Sequence, residues 1–186
     1  MGIAATPSTE NKFSTGAPSG AELTAGKGKI FGKSFSDYLA FQKVWLALTV
    51  IVGFARLGLS LAGQPDATVK WASMTVVGLA GIIYYGVAVH TSGFGSYKQL
   101  LPLVFFQTVL ANLIVIGGIV LSMAGYSNIF AAPEFSPPFA QTPQMQWAHI
   151  LGHVIGGMGI GSLIGWGVAS LVMLITKAIV KRPARA

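Results

Sequence analysis

The chain has 186 residues, of which 53% are hydrophobic and only 9% are charged, and its formal net charge is +7. So few charged residues cannot cover a water-soluble surface, which argues against a soluble domain and favours a protein whose solvent is the lipid bilayer. The absence of cysteine excludes disulfides, thiolate catalysis, cysteine-ligated zinc, iron–sulfur clusters and covalent c-type haem, and the basic residues form no aromatic-interleaved patch that would bind nucleic acid.

The N-terminal segment, residues 1–34, is rich in Gly, Ser, Thr, Ala and Lys. That composition offers too little apolar surface to offset the conformational entropy lost on folding. We therefore expect a flexible cytoplasmic tail, followed by a four-helix transmembrane domain over residues 35–186. At the junction, Ser34 or Ser36 is a candidate cap for a short helical lead-in before the first span.

Two apolar runs, at about 44–62 and 69–90, are predicted to be the first two transmembrane helices. The short sequence GQPDAT joins them, and its proline and aspartate are typical of turns. Such a short link holds two helices side by side and antiparallel. The first half of the chain is therefore predicted to be a helical hairpin.

A third span is predicted at about 101–124 and a fourth at about 147–177. Pro102 falls in the first turn of the third span, where its missing amide hydrogen does little harm. The fourth span would be roughly 45 Å long at 1.5 Å per residue, which exceeds the hydrocarbon core and requires tilt or overhang. Between these two spans lies a polar, proline-rich connection. Together the segments predict an all-α integral membrane protein, a four-transmembrane-helix bundle.

The distribution of basic residues predicts the orientation of these spans. The side that holds both termini has ten Lys and Arg residues, whereas the other side has Lys70 alone. The ten are Lys12, Lys27, Lys29, Lys33, Lys43, Lys98, Lys177, Lys181, Arg182 and Arg185. Because basic loops stay in the cytoplasm, both termini are predicted to be cytoplasmic. The chain is then a multi-pass protein of a cell membrane, which we take to be the inner membrane of a bacterium.

Arg56 is a charged residue about twelve positions into the first span, where an arginine costs about 2.5–3.5 kcal/mol at a helix centre. One interpretation is a site for an anionic ligand, such as a lipid headgroup, a haem propionate or a substrate carboxylate. In the other interpretation, the side chain extends to headgroups roughly 9 Å away or donates to backbone carbonyls of a neighbouring helix.

His149 and His153 form an H-x-x-x-H pattern near the start of the fourth span. Four-residue spacing places both imidazoles on one helix face, where they can supply two metal ligands, with Glu134 or Asp66 as a third. The pattern lacks the glutamate of an H-E-x-x-H motif. A purely structural interpretation is an interfacial ring at His149 and a hydrogen bond across the bundle at His153.

Haem is a second cofactor interpretation of the two histidines. His90 would be the natural second axial ligand, but it ends the second span on the opposite side, roughly 20 Å away in depth from His153. Met74 and Met123, in the outer halves of their spans, remain as partners for His153. The sequence therefore identifies no cofactor. The alternatives are a metal ion, haem, or no bound group.

Small residues recur at every fourth position of the fourth span, at Gly157, Gly161, Gly165 and Ala169. A stripe of this kind lets another helix approach closely. Three alternatives could pack on this stripe: another helix of the same bundle, a helix of a second protein, or a flat cofactor. The seven glycines between positions 152 and 167 exceed what one neighbouring helix requires.

Two amides, Gln107 and Asn112, lie inside the third span, and each needs a hydrogen-bond partner within the bundle. Such single amides usually bond one helix to another. No acidic residue falls inside a predicted span, which argues against a proton- or sodium-coupled carrier built on intramembrane carboxylates.

Three functions from different classes follow from these patterns. The first, which needs the fewest special residues, is a non-catalytic membrane subunit that packs through its fourth helix against other membrane subunits or copies of itself. The second is a redox or quinone-linked protein with haem or metal near Arg56, His149 and His153. The third is a small oligomeric channel or carrier. A Soret band in the spectrum of the purified protein would favour the second over the first.

Overall fold

The structure is a computed structural model that describes residues 28–132 and 142–180. Several sequence predictions fall outside these residues. They concern most of the N-terminal tail, the candidate ligand Glu134, and the basic residues Lys12, Lys27, Lys181, Arg182 and Arg185.

The described residues are mainly helical, and four of their helices are long and apolar enough to cross a membrane. This confirms the predicted class, a mostly helical bundle with four such helices. The elements in chain order are β1 (Lys29–Ile30), β2 (Lys33–Ser34), α1 (Phe35–Leu61), the short α2 (Asp66–Val69), α3 (Met74–Thr91), α4 (Tyr97–Met123), α5 (Pro143–Gly152) and α6 (Ser162–Ile179). A π-helical segment, His153–Gly161, joins α5 to α6 without a break. We call Pro143–Ile179 the composite helix.

The first helix begins at Phe35, well before the predicted start near position 44. A capping box explains this early start. The amide of Asp37 donates to Ser34 Oγ at 3.1 Å, and the amide of Ser34 donates to Asp37 Oδ2 at 2.8 Å. These bonds satisfy amide groups that a helix start otherwise leaves unpaired. The predicted lead-in is therefore the first part of α1 itself.

The four long helices are arranged around the pair α3 and α4. Helix α4 packs against α1, α3 and the composite helix, and α3 packs against α1, α4 and α6. Among the described residues, α1 and the composite helix make at most marginal contact. They therefore lie on opposite sides of the α3–α4 pair.

The π segment changes the path of the composite helix. The sequence predicts one uninterrupted fourth helix, whereas nine residues beginning at His153 have the wider π-helical turn. Helix α3 packs along α6 but hardly contacts the π segment in the part of the chain that is described. The two helices therefore diverge along the π segment, on the N-terminal side of α6, and a space opens between them.

Different hydrogen bonds stabilise the two ends of the bundle, which we call the hairpin end and the loop end. At the hairpin end, Tyr38 Oη donates to Ile30 O at 2.8 Å and Gln99 Nε2 donates to Phe31 O at 2.7 Å, so the β1–β2 hairpin is held against α1 and α4. At the loop end, Asn128 Nδ2 donates to Gly118 O at 2.7 Å, which ties the residues after α4 back onto that helix.

Two buried clusters fill the bundle. The cluster nearer the hairpin end joins α1, α3, α4 and α6, and it consists of Tyr38, Tyr85, Val89, Leu100, Leu103, Val104, Ala169 and Met173. The cluster nearer the loop end consists of Leu57, Val69, Met74, Ile114, Ile119, Ile129 and Phe130. Most other large apolar side chains on the helices are exposed, as suits surfaces that face lipid.

Candidate functional site

A cavity of about 400 Å³ lies between α1, α3, α4 and the start of the π segment, where α3 and the composite helix diverge. Its volume falls within the range of small-molecule sites, which is about 300–1,000 Å³. Most of its lining is apolar, and the residues that matter for its chemistry are Thr49, Gly78, Gln107, Thr108, Asn112 and His153. An apolar cavity with a few converging polar groups is the usual form of a ligand site.

Gln107 lines this cavity, and its side-chain amide is buried between α1 and α3. Its side chain is only 3% exposed, and its Nε2 donates to Thr49 Oγ1 and to Val77 O, both at 3.4 Å. Thr49 donates its own hydroxyl proton to Trp45 O at 2.8 Å, so its oxygen can only accept from Gln107. These two acceptors orient the amide with its nitrogen toward them. Gln107 Oε1 then has no hydrogen-bond partner among the described residues.

The lack of a side chain at Gly81 leaves room for the Gln107 amide. A Cβ at position 81 would overlap the Gln107 amide, with Oε1 as the nearest atom and Nε2 at 2.7 Å, which is closer than van der Waals contact allows. Gly78, one helical turn earlier on α3, also lines the cavity, and a Cβ there would meet no atom within 4 Å. The two glycines therefore differ. The Gln107 amide occupies the space beside Gly81, whereas Gly78 faces open space.

His149, His153 and Asn112 form a directed chain of hydrogen bonds. Asn112 Nδ2 donates to Thr108 O at 2.8 Å, so Asn112 Oδ1 faces His153 Nδ1 at 2.7 Å and accepts its proton. A neutral His153 then has an unprotonated Nε2. That atom lies 3.2 Å from His149 Nε2, which donates the proton of the pair. Asn112 thus fixes the tautomer of both rings when both are neutral.

Gly157 makes the pairing of Asn112 with His153 possible. A Cβ at position 157 would overlap the Asn112 side-chain amide. The glycine at this position of the predicted stripe therefore accommodates a polar side chain of α4. Its role is to admit an amide to the histidine pair rather than to bring two helix backbones together.

The rest of the small-residue stripe divides between packed and unpacked positions. A Cβ at Gly165 would lie 2.8 Å from a methyl carbon of Val104, and Ala169 is fully buried, so both pack within the bundle. A Cβ at Gly161 would meet only Gly156 O of its own helix, at 3.3 Å. The stripe is thus used inside this chain at three of its four positions.

Arg56 lies away from the cavity. Its guanidinium carbon is 5.4 Å from the ring centroid of Phe130, a cation–π contact with the segment that follows α4. The cavity lining includes His153 but not Arg56, and α1 and the composite helix are on opposite sides of the bundle. The structure therefore does not bring Arg56 and His153 to one cavity.

The remaining candidate ligands are placed as follows. His90 is at the hairpin end, where its Nε2 lies 3.0 Å from Val180 O, far along the bundle from His153. Met74 lines the cavity together with His153. Among residues 28–132 and 142–180, no cluster of three or more His, Cys, Asp or Glu side chains could hold a metal ion. A metal here would have only His149 and His153 as such ligands in the described part of the chain.

Sequence reasoning singled out Gln107, Asn112 and the two histidines but missed Thr49 and Gly78. A hydroxyl inside an apolar span is a weak signal, because such side chains commonly bond to the carbonyl four residues earlier, as Thr49 does. An isolated glycine in a helix is equally ambiguous. Thr49 becomes informative only once it is seen to accept from Gln107, and Gly78 only once it is seen to line the cavity.

Comparison of this chain with protein-family models, with curated proteins and with solved structures gave no significant match.

Proposed function

We propose that this protein is a non-catalytic integral membrane subunit that crosses the bilayer four times and assembles with other membrane subunits or with copies of itself. Four apolar helices of sufficient length support the spanning arrangement. The excess of basic residues on the side of the termini supports cytoplasmic termini, with the loop end on the opposite side. The bacterial inner membrane is the proposed location.

The observation that carries the proposed assembly is a set of glycines on the composite helix against which none of the described residues packs. A Cβ at Gly152, Gly156 or Gly167 would meet nothing within 4 Å. Each glycine inside a helix costs roughly 1 kcal/mol relative to alanine. A second helix that packs closely on these positions would offset that cost through dispersion and backbone contacts. The bare positions are therefore the proposed contact surface.

Replacing Gly167 with leucine tests this assembly. Both Gly167→Leu and the control Gly58→Leu on α1 place a side chain in open space at an exposed position, so the single chain should tolerate both. We expect Gly167→Leu to lower the mass of the detergent-solubilised complex, measured by light scattering after gel filtration. Gly58→Leu should leave it unchanged. A monomeric wild type, or a Gly167→Leu complex of wild-type mass, would contradict the proposed surface.

A second candidate function, metal binding, is favoured by the geometry of the histidine pair. Two nitrogens that bind one zinc ion at about 2.0–2.1 Å with tetrahedral geometry are roughly 3.3 Å apart, close to the 3.2 Å between His149 Nε2 and His153 Nε2. Asn112 would hold the other nitrogen of His153, as groups around metal-bound histidines do. Water would complete the coordination. This is the metal-ion alternative that the sequence predicted at His149 and His153.

Titration of the purified, metal-free protein with Zn²⁺ tests the metal candidate. His153→Ala should abolish binding, and Asn112→Leu should weaken it by about 10- to 100-fold, because the ring of His153 loses its orienting acceptor. His90→Ala removes a histidine at the other end of the bundle and serves as the control. Calorimetry that shows no binding by the wild type, or equal losses in His90→Ala and His153→Ala, would rule out this site.

A further inference from the structure

A groove of about 480 Å³ at the hairpin end lies between α4, the β1–β2 hairpin and the composite helix. We call it the hairpin groove. Its lining is apolar except for Ser162, whose hydroxyl donates to Met158 O of the same composite helix. Phe31, Phe105 and Leu163 in this lining are exposed, so the groove opens at the surface of the bundle. In a spanning bundle that surface faces lipid.

The hairpin groove extends over the depth of one lipid leaflet. Leu101 and Phe106, which line it, are four and nine residues from the start of α4 at Tyr97. These positions are about 6 and about 14 Å along the helix at 1.5 Å per residue, and half of the hydrocarbon core is about 15 Å. A hydrocarbon chain that begins at the headgroup layer can therefore run along this groove toward the middle of the bilayer.

The hairpin end of the bundle is electropositive. Among the described residues at that end, five lysines are opposed by Asp37 alone, which gives a net charge of +4. The carboxylate of Asp37 accepts from the amide of Ser34 at 2.8 Å in the capping box. The five lysines are Lys29, Lys33, Lys43, Lys98 and Lys177. A basic cluster at the edge of a membrane-spanning bundle attracts anionic headgroups.

Two of these lysines flank the hairpin groove and carry exposed charges. Lys33 and Lys177 lie over aromatic rings, 4.9 and 4.0 Å from the ring centroids. Lys29 and Lys98 are exposed, and neither has an ion-pair or cation–π contact among the described residues. Lys29 directly precedes Ile30, which lines the groove. These two ammonium groups are therefore the ones available to an anion at the groove.

The position of Lys98 in α4 favours an anion beside it. Lys98 is the second residue of α4, whose first turn has no acidic residue. A cation is unfavourable at the positive end of a helix, and a bound anion would offset that repulsion. Leu101 and Pro102 follow Lys98 by one helical turn on the same face and line the groove. Side chains on a helix tilt toward its N-terminus, so the Lys98 side chain extends toward the headgroup layer.

The hairpin and the start of α4 are held together at the same end of the groove. Gln99 Nε2 donates to Phe31 O at 2.7 Å, which fixes the turn of the hairpin on the first turn of α4, next to Lys98. Lys29 belongs to β1 of the same hairpin. The two exposed lysines are thus at the headgroup end of the groove, and the apolar lining continues from there into the hydrocarbon.

We propose that the hairpin groove binds one acyl chain of an anionic phospholipid, whose headgroup phosphate lies beside Lys98 and Lys29. The apolar lining holds the chain, and the two lysines select the charge of the headgroup. The site rests on the proposed spanning arrangement. It does not rest on assembly, since the contact glycines Gly152, Gly156 and Gly167 do not line the groove.

Native mass spectrometry in detergent tests this site with two lipids that have the same palmitoyl and oleoyl chains, phosphatidylglycerol and phosphatidylcholine. The first is anionic, and the second is zwitterionic. We expect the wild type to bind one phosphatidylglycerol about tenfold or more tightly than phosphatidylcholine, because each lysine near the headgroup favours the anionic lipid. Equal affinities would overturn the proposal.

Lysine variants test the headgroup contacts. Lys98→Gln should lower the preference for phosphatidylglycerol by about threefold or more, and the double variant with Lys29→Gln should remove it. Lys70→Gln replaces an exposed lysine at the loop end and should keep the preference of the wild type. If the double variant keeps that preference, or if Lys70→Gln loses as much of it, the lysines at the hairpin groove are not the headgroup site.

A glycine of the groove tests the acyl-chain contacts. A Cβ at Gly159 would meet only Val154 O, at an ordinary 3.9 Å, so Gly159→Leu should fold and extend a side chain into the groove. We expect it to weaken the binding of both lipids by about tenfold. Gly58→Leu on α1 places the same side chain in open space and should change neither affinity. Wild-type binding of phosphatidylglycerol by Gly159→Leu would overturn the proposal.

The same spectra give the number of subunits, so a failure of this site is distinguishable from a failure of the proposed function. A monomeric wild type that still prefers phosphatidylglycerol contradicts assembly and supports the site. A lower complex mass in Gly159→Leu, together with equal affinities of the wild type for both lipids, would mean that a second copy occupies the groove and would overturn the proposal. A chain that stays soluble without detergent would contradict the spanning arrangement, and the lipid site with it.

Discussion

The variant Gly86→Leu is expected to lose stable tertiary structure. A Cβ at Gly86 on α3 would lie 2.7 Å from the backbone oxygen of Ala169 and 2.7 Å from Cβ of Val172, both on α6. Neither atom is the end of a flexible side chain, so the two helices would have to separate. That separation would open the cluster in which Tyr85, Val89 and Met173 are fully buried. We expect a loss of about 3 kcal/mol or more, at the upper end of overpacking effects.

Unfolding of the purified protein in detergent measures this effect, with near-ultraviolet circular dichroism as the probe of packing. Gly58→Leu is the matched control, because a Cβ at position 58 meets nothing within 4 Å. We expect the control to unfold like the wild type and Gly86→Leu to show little cooperative unfolding. If both variants have the midpoint of the wild type, the close packing of α3 on α6 does not contribute as inferred.

Single-cysteine labelling in intact cells is expected to give an all-or-none result for the proposed orientation. The chain has no native cysteine, so a membrane-impermeant maleimide reports only the introduced residue. Tyr126→Cys replaces a residue that is 63% exposed at the loop end, and Lys98→Cys replaces an exposed residue at the hairpin end. The distribution of basic residues predicts that the hairpin end is cytoplasmic. We therefore expect strong labelling of Tyr126→Cys and none of Lys98→Cys.

Permeabilised cells provide the control, because both cysteines should then react. Labelling of Lys98→Cys alone in intact cells would indicate the opposite orientation. Equal labelling of both variants in intact cells would argue against a barrier between the two ends of the bundle. A removal of one lysine among ten on that side should leave the orientation itself unchanged.

The sequence by itself determined the four helices, since the length and polarity of an apolar run are local properties. It also offered Ser34 and Ser36 as alternative caps, because capping bonds join residues only a few positions apart, and the structure shows that Ser34 is the cap. The closeness of His149 and His153 follows equally from their four-residue spacing. It did not determine where α1 begins or that the fourth helix includes a π segment, because the latter depends on how the helix packs.

Only the tertiary structure decided which partners these residues meet. Periodicity places Gly157, Gly161 and Gly165 on one stripe, but the first meets Asn112, the last meets Val104, and the middle one meets only its own helix. Gln107 was recognisable as an amide that needs partners, yet its pairing with Thr49 spans 58 residues of chain. The physical reason is that helical periodicity defines the faces of a helix, whereas the packing of the whole bundle decides what lies opposite each face.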